Sequence, residues 1–427
     1  MQTSILIQGG RIIDPAEGRD EKADLYIEDG RVANRPDPLP DSCRIVNASE
    51  RVVSPGFWDI HVHLREPGNE DAETIRSGSE AAARGGFTRI VAMPNTTPAL
   101  DTPERVAMVL EKGREAGFAR VMTTACITRG RAGVELADLA ALSDAGAVAF
   151  TDDGCTVQSE PLMREAMERA RALDAVIMDH AQDQEMERRG VMHEGKFSRA
   201  FGLPGIPSEA EAKMIRRDVG LADQTGCRVH IQHMTSREAI DILAEAKARG
   251  IPVTGEVSPH HLLLCDADVD PDDASYKMNP PLRSADDRER LVEGVRSGIA
   301  DIFATDHAPH TAAAKQQGFL QGPFGVLGLE TAIGVTYSRT VPGGLLTLKE
   351  WIERWTVRPA AVLGLEPPSL RVGEPADVVV LDLNGAWTVD RECTASRSRN
   401  TPFHGRRLTG RAACTILGGR VNWRATE

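Results

Sequence analysis

Two histidines, His61 and His63, stand two positions apart in the otherwise mostly apolar stretch from residue 57 to residue 64. If this stretch is a β-strand, its side chains alternate between two faces, and both imidazoles point the same way. Neutral imidazole is a common ligand for zinc, and two such ligands on one face can reach the same ion. The spacing therefore predicts a metal site, although a lone His-x-His pair is more often two partly buried polar residues.

Other polar side chains stand where short apolar runs end. Such positions are occupied by Asn95, Asp152, Asp153, His180, His233 and Asp306. Imidazoles and carboxylates that are brought together bind metal ions and move protons. Taken singly, each has a simpler explanation, because an Asp after a strand often caps a turn and a lone His is often a hydrogen-bonded core residue. The set becomes informative only if the fold makes its members converge.

Between residues 57 and 306 the chain alternates apolar runs with stretches of helical spacing or composition. The candidate strands are residues 57–64, 87–92, 119–124, 147–151, 175–180, 228–233, 252–257 and 301–306. This alternation predicts an α/β protein with a (β/α)8 TIM-like barrel, and an open doubly wound sheet is the alternative. In a barrel, the carboxyl ends of all strands surround one mouth, where the polar residues would meet.

Strand alternation limits which neighbours can enter that mouth. Only one of Asp152 and Asp153 is expected to do so, because adjacent side chains face opposite ways. His230 and His233 are three apart and also face opposite ways, so we expect at most one of them to be a ligand. We choose His233, which is nearer the carboxyl end of its strand, and interpret His230 as a structural residue.

Four histidines and two carboxylates at one mouth exceed what a single tetrahedral zinc ion needs. Two ions a few ångström apart that share a carboxylate would use all six groups. Asp306, which follows the last candidate strand, is a natural general base beside such a cluster. The sequence therefore predicts a metal-dependent hydrolytic site.

Both ends of the chain consist of short strand-like runs separated by turn signals such as Asp29-Gly30. Each end alone offers few strands, and unpaired strands leave exposed edges and little buried area. We therefore expect the ends to pair with each other in one small β-sandwich domain. The predicted boundaries are residues 1–54 and 366–427 for the two parts of this domain and residues 55–365 for the barrel.

Composition narrows the class of ligand and the cellular location. A formal charge of −13 argues against sequence-independent binding to nucleic acid or to anionic membranes, so a small-molecule substrate is expected. The seven cysteines are odd in number and scattered, with no Cys-x-x-Cys pair, which is typical of a reducing cytosol. The first residues lack a basic signal-peptide region, and no apolar run is long enough to span a bilayer. We expect a cytoplasmic protein.

Together, six motifs and a terminal segment resemble the class I bacterial dihydroorotases of the amidohydrolase superfamily, over nearly the whole chain. The segments that carry this resemblance are His61-Val62-His63-Leu64-Arg65-Glu66-Pro67-Gly68, Ala92-Met93-Pro94-Asn95-Thr96-Thr97-Pro98, Phe150-Thr151-Asp152-Asp153-Gly154, Gly202-Leu203-Pro204-Gly205-Ile206-Pro207, Met278-Asn279-Pro280-Pro281-Leu282-Arg283, Ala304-Thr305-Asp306-His307-Ala308-Pro309 and Asn400-Thr401-Pro402-Phe403. The resemblance implies a zinc-dependent enzyme that interconverts dihydroorotate and N-carbamoyl-L-aspartate in de novo pyrimidine (UMP) biosynthesis.

The resemblance also implies a role for each matching residue. His61 and His63 would hold one zinc ion, His180 and His233 the other, with Asp153 between the ions and Asp306 as both ligand and proton shuttle. The implied substrate-binding residues are Arg65, Asn95, Asn279, His310, Phe324 and Gly325. The expected reaction is attack of metal-activated water on the ring amide carbonyl, with proton delivery to the departing nitrogen.

Two alternatives stay open. Hydantoinases and allantoinases are similar cyclic-amide hydrolases, but these relatives generally bridge their metals with a carboxylated lysine, and this chain has no lysine between Lys112 and Lys196. The second alternative is a non-catalytic dihydroorotase-like subunit that scaffolds aspartate carbamoyltransferase. Such relatives lose ligands, whereas all the candidate ligands are present here. Association of an active enzyme with that transferase, and assembly into a homo-oligomer, are left open by the sequence.

Overall fold

The computed structural model describes residues 4–425, in which strand-rich ends flank a central region where strands alternate with helices. The strands are β1 (Ser4–Asp14), β2 (Arg19–Glu28), β3 (Arg31–Ala33), β4 (Arg44–Asn47), β5 (Val52–Pro55), β6 (Phe57–Val62), β7 (Phe87–Ala92), β8 (Arg120–Thr123), β9 (Val176–Asp179), β10 (Met192–His193), β11 (Gly205–Ile206), β12 (Arg228–Ile231), β13 (Val253–Val257), β14 (Ile302–Phe303), β15 (Val378–Thr388), β16 (Arg407–Leu417) and β17 (Arg420–Arg424). The α/β class predicted from the sequence is confirmed.

Helices follow most of the central strands. They are α1 (Ile75–Arg84), α2 (Pro103–Ala116), α3 (Leu139–Asp144), α4 (Glu160–Ala172), α5 (Gln184–Glu187), α6 (Lys196–Phe201), α7 (Glu209–Thr225), α8 (Arg237–Ala248), α9 (Pro259–Leu263), α10 (Ala285–Arg296), α11 (Ala312–Lys315), α12 (Gly318–Gln321), α13 (Ala332–Thr340), α14 (Leu348–Glu353) and α15 (Val357–Leu363). Local chemistry sets several of the boundaries. The Ser236 hydroxyl accepts a hydrogen bond from the Ala239 amide at the start of α8. Gly117 ends α2 in the left-handed conformation, at φ 69°.

The two ends of the chain share one eight-stranded sheet. Its order is β17-β16-β15-β5-β1-β2-β3, and β4 pairs with β1. The ends join where β5 runs antiparallel to β15, with Ser54 opposite Val379. Apolar side chains from both ends, among them Ile7, Val53 and Ile416, form one buried cluster. The predicted pairing of the chain ends is therefore present in the structure.

The central strands are parallel and fall into two hydrogen-bonded groups, β6-β7-β8 and β14-β13-β12-β9. Isolated parallel bridges link the groups on both sides. Phe150 pairs with Ala125 and with Ile177, and Val62 pairs with His307. Polar residues that follow these strands are thereby brought to the same end of the region.

One predicted strand differs from the structure. Residues 147–151 do not form a continuous strand, because only Phe150 makes bridge contacts to both neighbours. The ladder stops there for a local reason. The Asp152 carboxylate accepts the next two amides, from Ile127 (2.9 Å) and Thr128 (3.1 Å), in place of a backbone carbonyl.

Two further properties concern the chain as a whole. Among residues 4–425, no helix combines the length and apolar character that crossing a membrane requires. All seven cysteines lie in this part of the chain and none is in a disulfide there. Cys126, Cys227, Cys265 and Cys414 are buried.

Candidate active site

A cavity of about 360 Å³ opens just past the carboxyl ends of the central parallel strands. It is lined by His63, Arg65, Asn95, Arg131, Asp153, Gly154, His180, His233, Asn279, Asp306, Ala308, His310, Pro323, Phe324 and Gly325. Every site residue expected from the sequence is in this lining except His61. The His61 side chain is fully buried behind it, with Nε2 3.5 Å from Asp153 Oδ1 and 3.6 Å from Asp306 Oδ1.

His63 lies between an amide and a carboxylate. Its Nδ1 is 2.9 Å from Asn95 Oδ1, and its Nε2 is 2.9 Å from Asp306 Oδ1. Burial and the neighbouring Arg65 lower the pKa of His63, which favours the neutral ring. A neutral imidazole beside a carboxylate is a pair of donors that suits a metal ion.

His233 provides the most direct indication of a metal site. It is 1% exposed, and neither ring nitrogen has a hydrogen-bond partner among the described residues. Burial, together with the charges of His180 and His61, holds its pKa well below the usual range, so the ring is neutral. Buried polar atoms rarely lack partners, and a neutral imidazole without one is a ready metal ligand.

The carboxylate of Asp153 lies among three of the histidines. Its Oδ1 is 3.6 Å from His180 Nδ1 and 3.5 Å from His61 Nε2, and its Oδ2 is 3.7 Å from His63 Nε2. Burial opposes its ionisation, but the hydrogen-bonding His180 and His61 hold its pKa well below the ordinary value. The pKa of Asp306 is also lowered, because His63 and the other imidazoles outweigh its burial. Both groups are therefore carboxylates at neutral pH.

Two overlapping sets of donor atoms could hold metal ions. The ligand atoms of His61, Asp153 and His233 lie within 4.8 Å of one another, and so do those of His61, His63 and Asp306. Imidazole and carboxylate donors of this kind suit zinc and other first-row divalent metals. The residues present therefore fit a metal centre at this cavity.

The cavity also contains polar groups that can bind an anionic, amide-bearing ligand. Arg65 donates from Nε to the Pro309 carbonyl at 3.0 Å, and its Nη2 lies 3.2 Å from His310 Nε2. Burial lowers the pKa of Arg65 to about 10, so the guanidinium stays charged at neutral pH. His310 Nε2 lies 2.7 Å from the Phe324 carbonyl oxygen. The Asn279 side-chain oxygen is buried and unpartnered within residues 4–425.

The structure gives the members of two neighbouring pairs different surroundings. Asp153 faces the cavity, whereas Asp152 accepts hydrogen bonds from Ile127 and Thr128. His233 faces the cavity, whereas His230 lies 2.8 Å from Thr254 Oγ1.

Sequence reasoning missed two residues with direct contacts to the site. The carboxylate of Glu256 in β13 lies 2.5 Å from His61 Nδ1 and 3.1 Å from His230 Nε2. It also accepts a hydrogen bond from the His233 backbone amide at 3.1 Å. A lone acid inside an otherwise uncharged strand was the available signal for it. Arg131 lines the cavity and donates to the Asp153 carbonyl. It lies in a short 3-10 turn after β8, at a position that no strand pattern marks.

Comparison with known proteins places this geometry in a family. The family model for dihydro-orotase-like proteins matches residues 50–239. The dihydroorotase of Geobacillus sp. (strain WCH70) is 46% identical over 98% of this chain and 99% of its own length. The dihydroorotase of Anaeromyxobacter sp. (strain K) is 47% identical over 99% of this chain and 98% of its own length.

Solved structures share the whole fold. The L-hydantoinase (dihydropyrimidinase) from Arthrobacter aurescens matches with a TM-score of 0.85 at 26% identity, covering 99% of this chain and 96% of that one. The D-hydantoinase (dihydropyrimidinase) from Thermus sp. also has a TM-score of 0.85, at 23% identity over 99% of this chain and 97% of that one. At this identity the likeness shows a shared fold and nothing more. Because the relatives named above are nearly half identical over almost the full length, this chain belongs to the dihydroorotase family.

Proposed function

We propose that this chain is an active dihydroorotase that interconverts dihydroorotate and N-carbamoyl-L-aspartate in pyrimidine biosynthesis. The observation that carries the proposal is the position of Asp153, which lies within 3.5–3.7 Å of imidazole nitrogens of His61, His63 and His180. A cavity that combines this donor set with the charged guanidinium of Arg65 suits a small anionic amide.

The proposed cofactor is zinc, with two ions in each subunit. His61 and His63 would hold one ion, His180 and His233 the other, while Asp153 would lie between them and Asp306 would complete the set. When bound, zinc polarises a carbonyl group and lowers the pKa of water from 15.7 to about 7. The unpartnered nitrogens of His233 and the facing pair His63–Asp306 support this assignment.

The proton path assigned to this chain uses Asp306. In the ring-opening direction, its carboxylate accepts a proton from the attacking water and returns it to the ring nitrogen as the C–N bond breaks. The carbonyl carbon thereby becomes the new carboxyl group of N-carbamoyl-L-aspartate, which releases the second proton of the water to solvent and ionises. The lowered pKa of Asp306 means that this group is ionised at neutral pH, which is the form that can accept a proton.

The remaining polar residues of the cavity are proposed to orient the substrate. Arg65 would bind the substrate carboxylate through its guanidinium, aided by Asn95 and His310. The free side-chain oxygen of Asn279 would accept a hydrogen bond from a ring N–H. Phe324 and Gly325 would contact the ring from the loop after α12.

The proposed architecture is a closed (β/α)8 barrel with a small β-sandwich built from both chain ends. The bridges from Phe150 to Ala125 and Ile177, together with the Val62–His307 bridge, support closure of the parallel strands into a ring. The proposed domain boundaries are residues 1–54, 55–365 and 366–427. A cytoplasmic location is proposed from the odd number and scattered positions of the cysteines. Aspartate carbamoyltransferase and a second copy of this chain are proposed as candidate partners.

The rival activity is a hydantoinase type of cyclic-amide hydrolysis. The Arthrobacter L-hydantoinase shares the fold at 26% identity, well below the 46% found for the Geobacillus dihydroorotase. Asp153 would bridge the metal ions in place of the carboxylated lysine that the rival enzymes generally use, and this chain has no lysine between Lys112 and Lys196. This favours dihydroorotate as substrate.

The test is reversible ring opening of dihydroorotate by the purified zinc-loaded protein. Hydantoin and dihydrouracil serve as comparison substrates, and protein stripped with a chelator serves as the control. We expect turnover of dihydroorotate that disappears on stripping and returns with zinc. Turnover of hydantoin but not dihydroorotate would refute the assigned substrate, and no turnover with zinc verifiably bound would favour a scaffold subunit of the transferase.

A further inference from the structure

Asn400 lies far from the active-site residues in sequence, between β15 and β16, yet its side chain contacts the cavity wall. It is 3% exposed. Its Nδ2 donates to the Ala308 carbonyl at 3.0 Å and to the Gly325 carbonyl at 2.9 Å, and its Oδ1 accepts the His310 amide at 3.0 Å. All three partners line the cavity. One side-chain amide therefore holds three points of the proposed substrate-binding wall.

The two loops that Asn400 joins are residues 306–310 and 324–328. They already touch, because the Ala308 amide donates to the Val326 carbonyl at 2.8 Å. Gly325 has φ 138°, and a Cβ at this position would lie 2.7 Å from the Ala308 oxygen, so the contact is as close as a glycine permits. The Asn400 amide spans this contact through its bonds to the Ala308 and Gly325 carbonyls. Its loss would leave two buried carbonyls and one amide without their partner.

Asn400 is itself held firmly by the segment that precedes it. The Ser398 hydroxyl donates to the Ala72 carbonyl at 2.7 Å, and the Ser396 hydroxyl donates to Glu73 Oε2 at 2.5 Å. The Ala395 amide donates to Glu330 Oε1 at 2.9 Å. The segment 394–400 is thus attached to the central region at several places, and Asn400 has a fixed base from which to hold the two loops.

We infer that Asn400 is a positioning residue for substrate binding, which sets the separation of His310 from the Gly325 turn through backbone hydrogen bonds. The inference rests on the proposed function of the cavity and extends it, because the substrate site is then incomplete without the C-terminal segment. Among the described residues, no hydrogen bond joins the Asn400 side chain to a proposed metal ligand. The contribution of Asn400 therefore falls on substrate affinity more than on the chemical step.

The chain offers a matched control in Asn422. The Asn422 side chain also donates two hydrogen bonds to backbone carbonyls of the central region, those of Gly117 (2.7 Å) and Phe118 (2.9 Å), but it does not line the cavity. Asn400→Ala and Asn422→Ala each remove two amide-to-carbonyl bonds between the C-terminal segment and the rest of the molecule. Asn400→Asp keeps the acceptor for the His310 amide and replaces the donor with an oxygen that faces two carbonyls.

The experiment measures kcat, KM, zinc content and thermal midpoint for these variants of the full-length zinc-loaded protein. For Asn400→Ala and Asn400→Asp we expect KM for dihydroorotate to rise about 10- to 100-fold, kcat to change about threefold or less, and zinc content to stay at the wild-type level. Asn422→Ala should lower the thermal midpoint with KM within about twofold of wild type. If Asn400→Ala does not fold, Asn400→Asp alone decides.

Equal KM values for the Asn400 variants and wild type would overturn the inference, because Asn400 would then act only on stability. If the wild-type protein does not turn over dihydroorotate, the proposed function fails instead, and hydrogen exchange decides the inference separately. Faster exchange of residues 308–327 in Asn400→Ala, but not in Asn422→Ala, is the expected result. Unchanged exchange there would refute it.

Discussion

Replacing Glu256 with Gln should weaken metal binding although Glu256 is no proposed ligand. Its carboxylate receives His61 Nδ1 at 2.5 Å, which directs the opposite nitrogen of that ring toward Asp153 and Asp306. Burial opposes the ionisation of Glu256, but the adjacent His61 and His230 keep its pKa far below the usual value for a glutamate. An ionised carboxylate behind a ligating imidazole fixes its tautomer and raises its basicity.

The magnitude follows from the bond that changes. Glu256→Gln keeps the shape and one oxygen, so the His61 ring can still donate, but the bond loses its charge. A hydrogen bond to a charged group contributes about 1.5–3 kcal/mol, roughly twice the contribution of a neutral one, so the change costs about 1–2 kcal/mol. This corresponds to roughly a 10-fold loss of zinc affinity, at the lower end of the 10- to 100-fold range typical of such outer residues.

Competition with a chelator of known zinc affinity measures this loss, at a pH where the wild-type protein is stable. The control is Asp14→Asn, which changes another fully buried carboxylate, one that accepts the Leu370 amide at 2.6 Å in the sheet of the chain ends. We expect the control to be destabilised but to bind zinc as wild type does. Zinc affinity within about twofold of wild type in Glu256→Gln would refute the reasoning that Glu256 orients His61.

Three further predictions concern catalysis, substrate binding and pH. Asp306→Asn should lower kcat by about 100- to 10,000-fold at measured zinc occupancy, and near-normal turnover with zinc bound would contradict its role as proton carrier. Arg65→Lys should raise KM for dihydroorotate about 10-fold, because an ammonium cannot bind a carboxylate through two parallel hydrogen bonds, and steady-state kinetics would show an unchanged KM if the assignment is wrong. Burial, helped by the charge of Lys277, lowers the pKa of Lys315 to about 7, so between pH 7 and 10 the unfolded chain binds more protons there than the folded protein does. The stability of the wild-type protein should therefore rise relative to that of Lys315→Met over that range. A difference in thermal midpoint between the two proteins that does not change with pH would contradict this prediction.

Much of the site could be predicted from the two-residue period of the strands and from the positions of polar residues at their ends. His61 and His63 were expected to share a face, and only one of Asp152 and Asp153 was expected to enter the mouth, because both conclusions depend only on the two-residue period of a strand. Glu256 was not found, since alternation places it inside the region but says nothing about which distant histidine it meets. Its contact with His61 depends on how far β6 lies from β13, and that is a property of the assembled strands.

Strand alternation also cannot predict the backbone conformation of several residues that line the cavity. Arg65, Arg131, His233 and Asp306 have φ values of 60°, 58°, 30° and 47°, a region that residues other than glycine rarely adopt. All four line the cavity. Left-handed backbone breaks the alternation of a strand, so the period that identifies a strand does not determine where the side chains of Arg65, Arg131 and Asp306 point. Such conformations cost about 1–3 kcal/mol each and persist where surrounding contacts hold them, so their concentration at one cavity is the signature of a site whose geometry is maintained against local backbone preference.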